Sequence, residues 1–166
     1  MTSLVLLRHA KSDWPPGVPD LERPLNRRGR RDAPSVGRVL ATRPPLDVVV
    51  TSPARRTRQT LEAVLSALPV GLEPIIDPRV YDADVPSLLE VLADVPAAAE
   101  RVLLVGHNPG IEMLATYLIS NTDDHGYRRL LEKYPTSGLA EINLQTAWTD
   151  LSANCGELTS FDIPRG

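Results

Sequence analysis

Leu4-Val5-Leu6-Leu7-Arg8-His9-Ala10-Lys11-Ser12 sets four apolar residues directly before a basic, polar turn. A short unbroken apolar run ending in polar residues reads as a strand buried on both faces. The same pattern recurs twice. Asp47-Val48-Val49-Val50 is rich in β-branched residues and is stopped by Ser52-Pro53, with Ala54-Arg55-Arg56-Thr57 following. Val102-Leu103-Leu104-Val105 runs into Gly106-His107-Asn108-Pro109-Gly110. Helical patterns lie between these runs. Residues 27–42 read as one helix, and Leu61, Val64, Leu65 and Leu68 recur at helical spacing within 53–68. Residues 87–92 form a shorter helix closed by Pro96, and Ile111, Leu114, Ala115 and Leu118 share one face of a helix over 109–120. Ile75 and Ile76 mark a short strand, two late strands are expected over 138–144 and 148–154, and the proline-bearing residues 13–26 read as a loop. Strands alternating with helices predict an α/β domain with a largely parallel sheet. Right-handed crossovers then bring the carboxyl ends of these strands to one edge, where such sheets bind ligands.

The composition narrows the function. A chain of 166 residues suits one domain over 1–166. Net charge is -3 with pI near 5.6, which argues against nucleic-acid binding by the molecule as a whole. Nearly all the positive charge is arginine, the planar fork suited to phosphate. The single cysteine, Cys155, excludes a disulfide framework and a multi-cysteine metal site. The histidines lack the i, i+4 spacing of a metal motif, so no metal and no cofactor are expected. The apolar run at the N-terminus is too short for a signal peptide or a membrane span, which predicts no membrane association and a cytoplasmic location.

Three strand-end turns therefore converge, carrying His9, His107 and at least two arginines. A neutral imidazole such as His9 can attack phosphorus and form a phosphohistidine. It needs an orienting hydrogen bond on its other nitrogen, supplied by a backbone carbonyl. Ser52 reads as a helix cap and Pro53 as the first helical residue. Arg56 then lies in the first turn and leans back over the strand end, beside amides suited to an anion. Arg55 and Arg58 lie at other angles and read as solvated. His107, ahead of the expected cap Asn108, would donate a hydrogen bond to the phosphoryl group.

These residues are similar to a known set. Leu7-Arg8-His9-Ala10 resembles the Arg-His-Gly signature of the histidine phosphatase superfamily, with the phosphoglycerate mutase-like fold. Ser52-Pro53-Ala54-Arg55-Arg56-Thr57-Arg58-Gln59-Thr60 resembles its second motif, whose fifth residue, here Arg56, is the phosphate arginine. Val105-Gly106-His107-Asn108-Pro109-Gly110 resembles the stretch bearing its second histidine. The short length, the form Arg8-His9-Ala10-Lys11-Ser12, and residues 20–29 resemble the SixA branch, small phosphatases of protein phosphohistidine. The resemblance implies a three-layer sandwich around a mostly parallel sheet of about five or six strands. It also implies a catalytic set of His9 as nucleophile with Arg8, Arg56 and His107 around the phosphoryl group. Ala10 stands where the superfamily has glycine. Larger members place a glutamate acid after the third strand, and Arg79-Val80-Tyr81-Asp82-Ala83-Asp84 offers no clear match. Asp82 and Asp84 are candidates for that acid, although both also read as loop carboxylates.

The remaining residues divide between two readings. Lys11, Ser12, Thr136 and Ser137 are candidates to bind substrate. The basic run 27–31 reads as a solvated helix start or as a docking patch for an acidic or phosphorylated partner. Trp14 and Trp148 read as core or rim, and His125 as surface. The expected function is a phosphatase acting through a phosphohistidine on His9, with phosphohistidine on a protein as substrate. The alternatives are a small-molecule phosphomonoesterase or mutase on the same machinery, and a non-catalytic module that binds phosphorylated protein. The expected partner is a phosphorylated protein or a small phosphorylated substrate.

Overall fold

The computed structural model describes residues 1–69 and 71–166. Six strands form one sheet: β1 (Thr2–Arg8), β2 (Val48–Thr51), β3 (Ile75–Ile76), β4 (Arg101–Gly106), β5 (Leu139–Leu144) and β6 (Gly156–Asp162). Their order is β3-β2-β4-β1-β5-β6. Five helices accompany them: α1 (Arg27–Ala41), α2 (Arg55–Ser66), α3 (Val85–Ala93), α4 (Gly110–Leu118) and α5 (His125–Glu132).

Alternation along the buried strands explains the layering, because successive side chains point to opposite faces. Val5, Leu7, Val49, Leu103 and Val105 pack with Val36 and Leu40 of α1 and Leu61 and Val64 of α2. Leu4, Leu6, Val50, Val102 and Leu104 pack with Leu88 and Leu92 of α3, Leu114 and Leu118 of α4, and Leu130 of α5. Each such side chain contributes roughly 1.5–3 kcal/mol by leaving water. The result is helices on both faces of one sheet.

The sheet is mixed, not mostly parallel as expected. β3, β2, β4 and β1 pair in parallel, but β5 is antiparallel to both β1 and β6. Two features force this. The Ser137 amide donates to the carbonyls of Arg8 and His9, so the chain enters β5 beside the end where it leaves β1. Between β5 and β6 there is only a single 3₁₀ turn, Trp148–Asp150, and a parallel crossover needs a dozen or more residues, usually with a helix.

Two other expectations change. The strand expected over 148–154 lies later, at β6, because Trp148 turns into the core and its indole donates to the Ala99 carbonyl at 2.9 Å. The segment around His125, which reads from the sequence as surface, opens α5. Asp124 caps that helix by accepting from the amides of Gly126 and Tyr127, while His125 stays exposed. Among the described residues, no helix is long and apolar enough to cross a membrane.

Candidate active site

Register brings the three turns together. Arg8 pairs with Gly106 across β1 and β4, and Thr51 pairs with Val105 across β2 and β4, so these strands end level. The His9 amide donates to the Gly106 carbonyl and the Ser52 amide to the Val105 carbonyl, both at 3.1 Å. The rings of His9 and His107 consequently lie 5.2 Å apart between centroids.

His9 is 6% exposed. Its Nδ1 lies 2.7 Å from the Ala10 carbonyl, which can only accept, so Nδ1 carries the hydrogen and Nε2 the lone pair. Burial, with His107, Arg56 and Arg8 nearby, pushes its pKa down to about 3, although the Ala10 carbonyl works against that. Burial and Arg56 lower His107 to about 4. Its Nε2 lies 2.7 Å from Ser52 Oγ, and its Nδ1 is buried without a partner.

These two shifts set a pH dependence of stability. Both histidines are neutral when folded and take up protons near pH 6.5 when unfolded. The unfolded chain then binds more protons, and stability falls as pH drops from about 6.5 toward 4. Denaturant midpoints at pH about 7 and about 5 should differ in the wild type and differ less in a His9→Gln/His107→Gln variant. Equal pH slopes would count against two buried neutral imidazoles.

Two arginines flank the histidines. Arg8 Nη1 donates to the Tyr134 carbonyl at 2.9 Å. Arg56 is 6% exposed, while Arg55 and Arg58 are exposed, as the helical geometry predicts. The cap differs from expectation. α2 begins at Arg55 after Ala54, and the Ser52 hydroxyl accepts from the Ala54 amide instead of capping the helix. Arg56 still falls in the first turn. Likewise Pro109, not Asn108, precedes the first residue of α4.

The residues named from sequence separate into groups. Arg8, His9, Lys11, Ser12, Arg56, His107 and Thr136 line one cavity of about 220 Å³. Ser137 does not line it; it is fully buried, at φ 62°, with its hydroxyl unpartnered and its amide on the Arg8 and His9 carbonyls. Asp82 lines an adjoining cavity of about 140 Å³, which shares Arg56, His107 and Asn108 with the first. Asp84 lines neither of these two cavities. It caps α3 by accepting from the Ser87 amide at 2.9 Å, which lowers its pKa. In the run 27–31 the arginines are exposed, and Arg28 and Arg31 meet Asp32. Gly29 allows α1 to touch the turn after β1, since a Cβ there would lie 2.0 Å from the Lys11 carbonyl oxygen.

Four contributors escaped the sequence reading. Asp20 receives Arg56 Nη1 on its carbonyl at 2.7 Å and Arg56 Nη2 on its carboxylate at 3.0 Å. Arg23 and the Tyr81 hydroxyl donate to the same carboxylate, at 3.0 and 2.5 Å. Led by the Tyr81 bond, these contacts hold Asp20 well below the usual carboxylate range. Arg23 also donates to Ser12 Oγ at 2.6 Å and stacks beneath Trp14, which is 73% exposed at the rim. Trp148, by contrast, is core. The fourth is Asn108, read only as a helix cap. The Asp20 to Gly29 stretch carried a hint, but Tyr81 lies 61 residues from its partner and no local pattern links them. Among the described residues, no group of three or more His, Cys, Asp or Glu is placed to hold a metal ion.

The model of the histidine phosphatase superfamily (branch 1) matches residues 4–98. The chain belongs to that superfamily. Its likeness within it is to the SixA-type branch. A structure assigned as the SixA phosphohistidine phosphatase of Nakamurella multipartitia is 33% identical, with a TM-score of 0.86 over 98% of this chain and 96% of that one. Its counterpart from Agrobacterium tumefaciens is 32% identical, with a TM-score of 0.83 over 98% of each. An uncharacterized protein of Mycobacterium tuberculosis is 38% identical over 162 residues, 96% of this chain and all of that relative.

Proposed function

We propose that the protein is a phosphatase in which His9 Nε2 takes the phosphoryl group and water then removes it. One observation carries this reading: a neutral, buried imidazole, oriented by the Ala10 carbonyl, shares a cavity with donors that lack protein partners. Those donors are Arg8 Nε and Arg56 Nε, with His107 Nδ1 beside them. In this reading Ser52 donates its hydroxyl hydrogen to His107 Nε2, 2.7 Å away, so that the His107 hydrogen sits on Nδ1 for a phosphoryl oxygen. Arg8, Arg56 and His107 then meet the three equatorial oxygens, and they do so before the charge develops, which is where fixed donors contribute most.

The substrate in this reading is phosphohistidine borne by a protein, as the names of the SixA-type relatives suggest. The acid problem supports it. Asp84 is committed to capping α3, and Asp82 faces the adjoining cavity. An alkoxide needs a proton as it leaves, whereas an imidazole leaves already protonated. A single observation favours the small-molecule alternative: the second cavity, with Asp82 in its wall, could seat the rest of a metabolite.

Turnover of a phosphohistidine peptide, an aryl phosphate and an alkyl phosphate, all with chelator present, separates the two. The expected result is kcat/KM lower for the alkyl ester by about 10²–10⁴, the usual value of a general acid. Equal turnover of the alkyl ester would move the metabolite reading ahead, with Asp82 the first residue to replace. Loss of activity on chelation would overturn the metal-independent mechanism.

A further inference from the structure

Asn108 stands between the two cavities and lines both. Its amide is held from one side. Nδ2 donates to the Tyr134 carbonyl at 3.0 Å and to Glu112 Oε2 at 3.3 Å. A peptide carbonyl cannot donate, so the amide cannot be turned over. Oδ1 is thereby left as a buried acceptor without a partner. It is the odd member of this site. Arg8 Nε and Arg56 Nε, the unpartnered guanidinium atoms of the same cavity, are donors and suit phosphoryl oxygens. An amide oxygen would repel those oxygens. Its complement is a group that carries hydrogen and still has a lone pair to spend, which describes an attacking water.

We propose that Asn108 Oδ1 orients the water that hydrolyses the phosphohistidine, which makes Asn108 a positioning residue for the second half of the reaction. The inference rests on the reading of His9 above. In this step the water oxygen bonds to phosphorus opposite Nε2. The P–Nε2 bond breaks and its electron pair returns to Nε2. Both water hydrogens leave on dihydrogen phosphate, one of them having moved to a phosphoryl oxygen. Asn108 takes no proton. It fixes the direction of the water's lone pair, and the same function is served whichever leaving group departed in the first step.

The test separates the two half-reactions with a labelled aryl phosphate and rapid quench. Asn108→Ala should form the phosphoenzyme at close to the wild-type rate and break it down about 10–10²-fold more slowly, as misplacement of a reactant does. Label then accumulates in the steady state, and kcat falls while kcat/KM holds. Asn108→Asp keeps an acceptor in place but adds negative charge beside the incoming phosphoryl group. It should show the opposite split: slow formation and near-normal breakdown. Both steps slowing together in both variants would mark Asn108 as structural and overturn the proposal. Unchanged breakdown in Asn108→Ala, with label present on the wild type, sinks the water-positioning role alone. A wild type that never carries label takes the His9 reading down as well.

Discussion

His9→Ala should lose turnover by a factor on the order of 10⁴–10⁶, the range found when a covalent nucleophile or its partner is removed. It should also lose the covalent label. Wild-type protein quenched in the steady state carries phosphate that is stable to base and labile to acid, the behaviour of a phosphoramidate. The variant carries none. The geometry makes the effect specific to the side chain. The His9 backbone amide bonds to the Gly106 carbonyl whatever the side chain, so β1 and β4 stay in register. The imidazole itself contributes one internal hydrogen bond, to Ala10. Label that persists in His9→Ala would put the nucleophile elsewhere, and His107 would be the first residue to examine.

Arg56→Ala should cost on the order of 10²–10³ in kcat, the value of one fixed donor at a developing charge. Arg55→Ala and Arg58→Ala should stay near wild type. Arg56 is buried with two of its nitrogens committed to Asp20, which leaves Nε with no protein partner. Arg55 is exposed, and exposed Arg58 folds back on the Pro53 carbonyl. Arg56→Lys should recover little, because an ammonium cannot hold Asp20 with one edge and present a separate donor from the other. Equal losses at all three positions would refute the inferred geometry. The comparison needs only steady-state turnover of an aryl phosphate.

The legible part of the site was the part written in local pattern. Arg8 and His9 follow an apolar run, His107 follows another, and helical periodicity singled out Arg56 from its two neighbours. The Asp20 network was not legible. Its members sit in a proline-bearing loop, in the first turn of α2 and in the segment before α3, and only folding brings them within 3.0 Å. α5 was missed because its polar start masked an Asp124 cap followed by Tyr127 and Leu130 on one face.

What the sequence determined by itself was therefore the alternation of buried strands and amphipathic helices, and the identity of the polar residues at each strand end. Side-chain period is a local property, and it survives without knowledge of the partner. Strand direction and amide orientation are not local. β5 became antiparallel because residues 133–138 turn back over the end of β1. Asn108 acquired a free acceptor only because the Tyr134 carbonyl, brought in from the segment after α5, joined Glu112, four residues along the chain, in claiming its donor side. Hydrogen-bond satisfaction in a buried site is settled among all the groups that meet there, and the tertiary structure decides which groups those are.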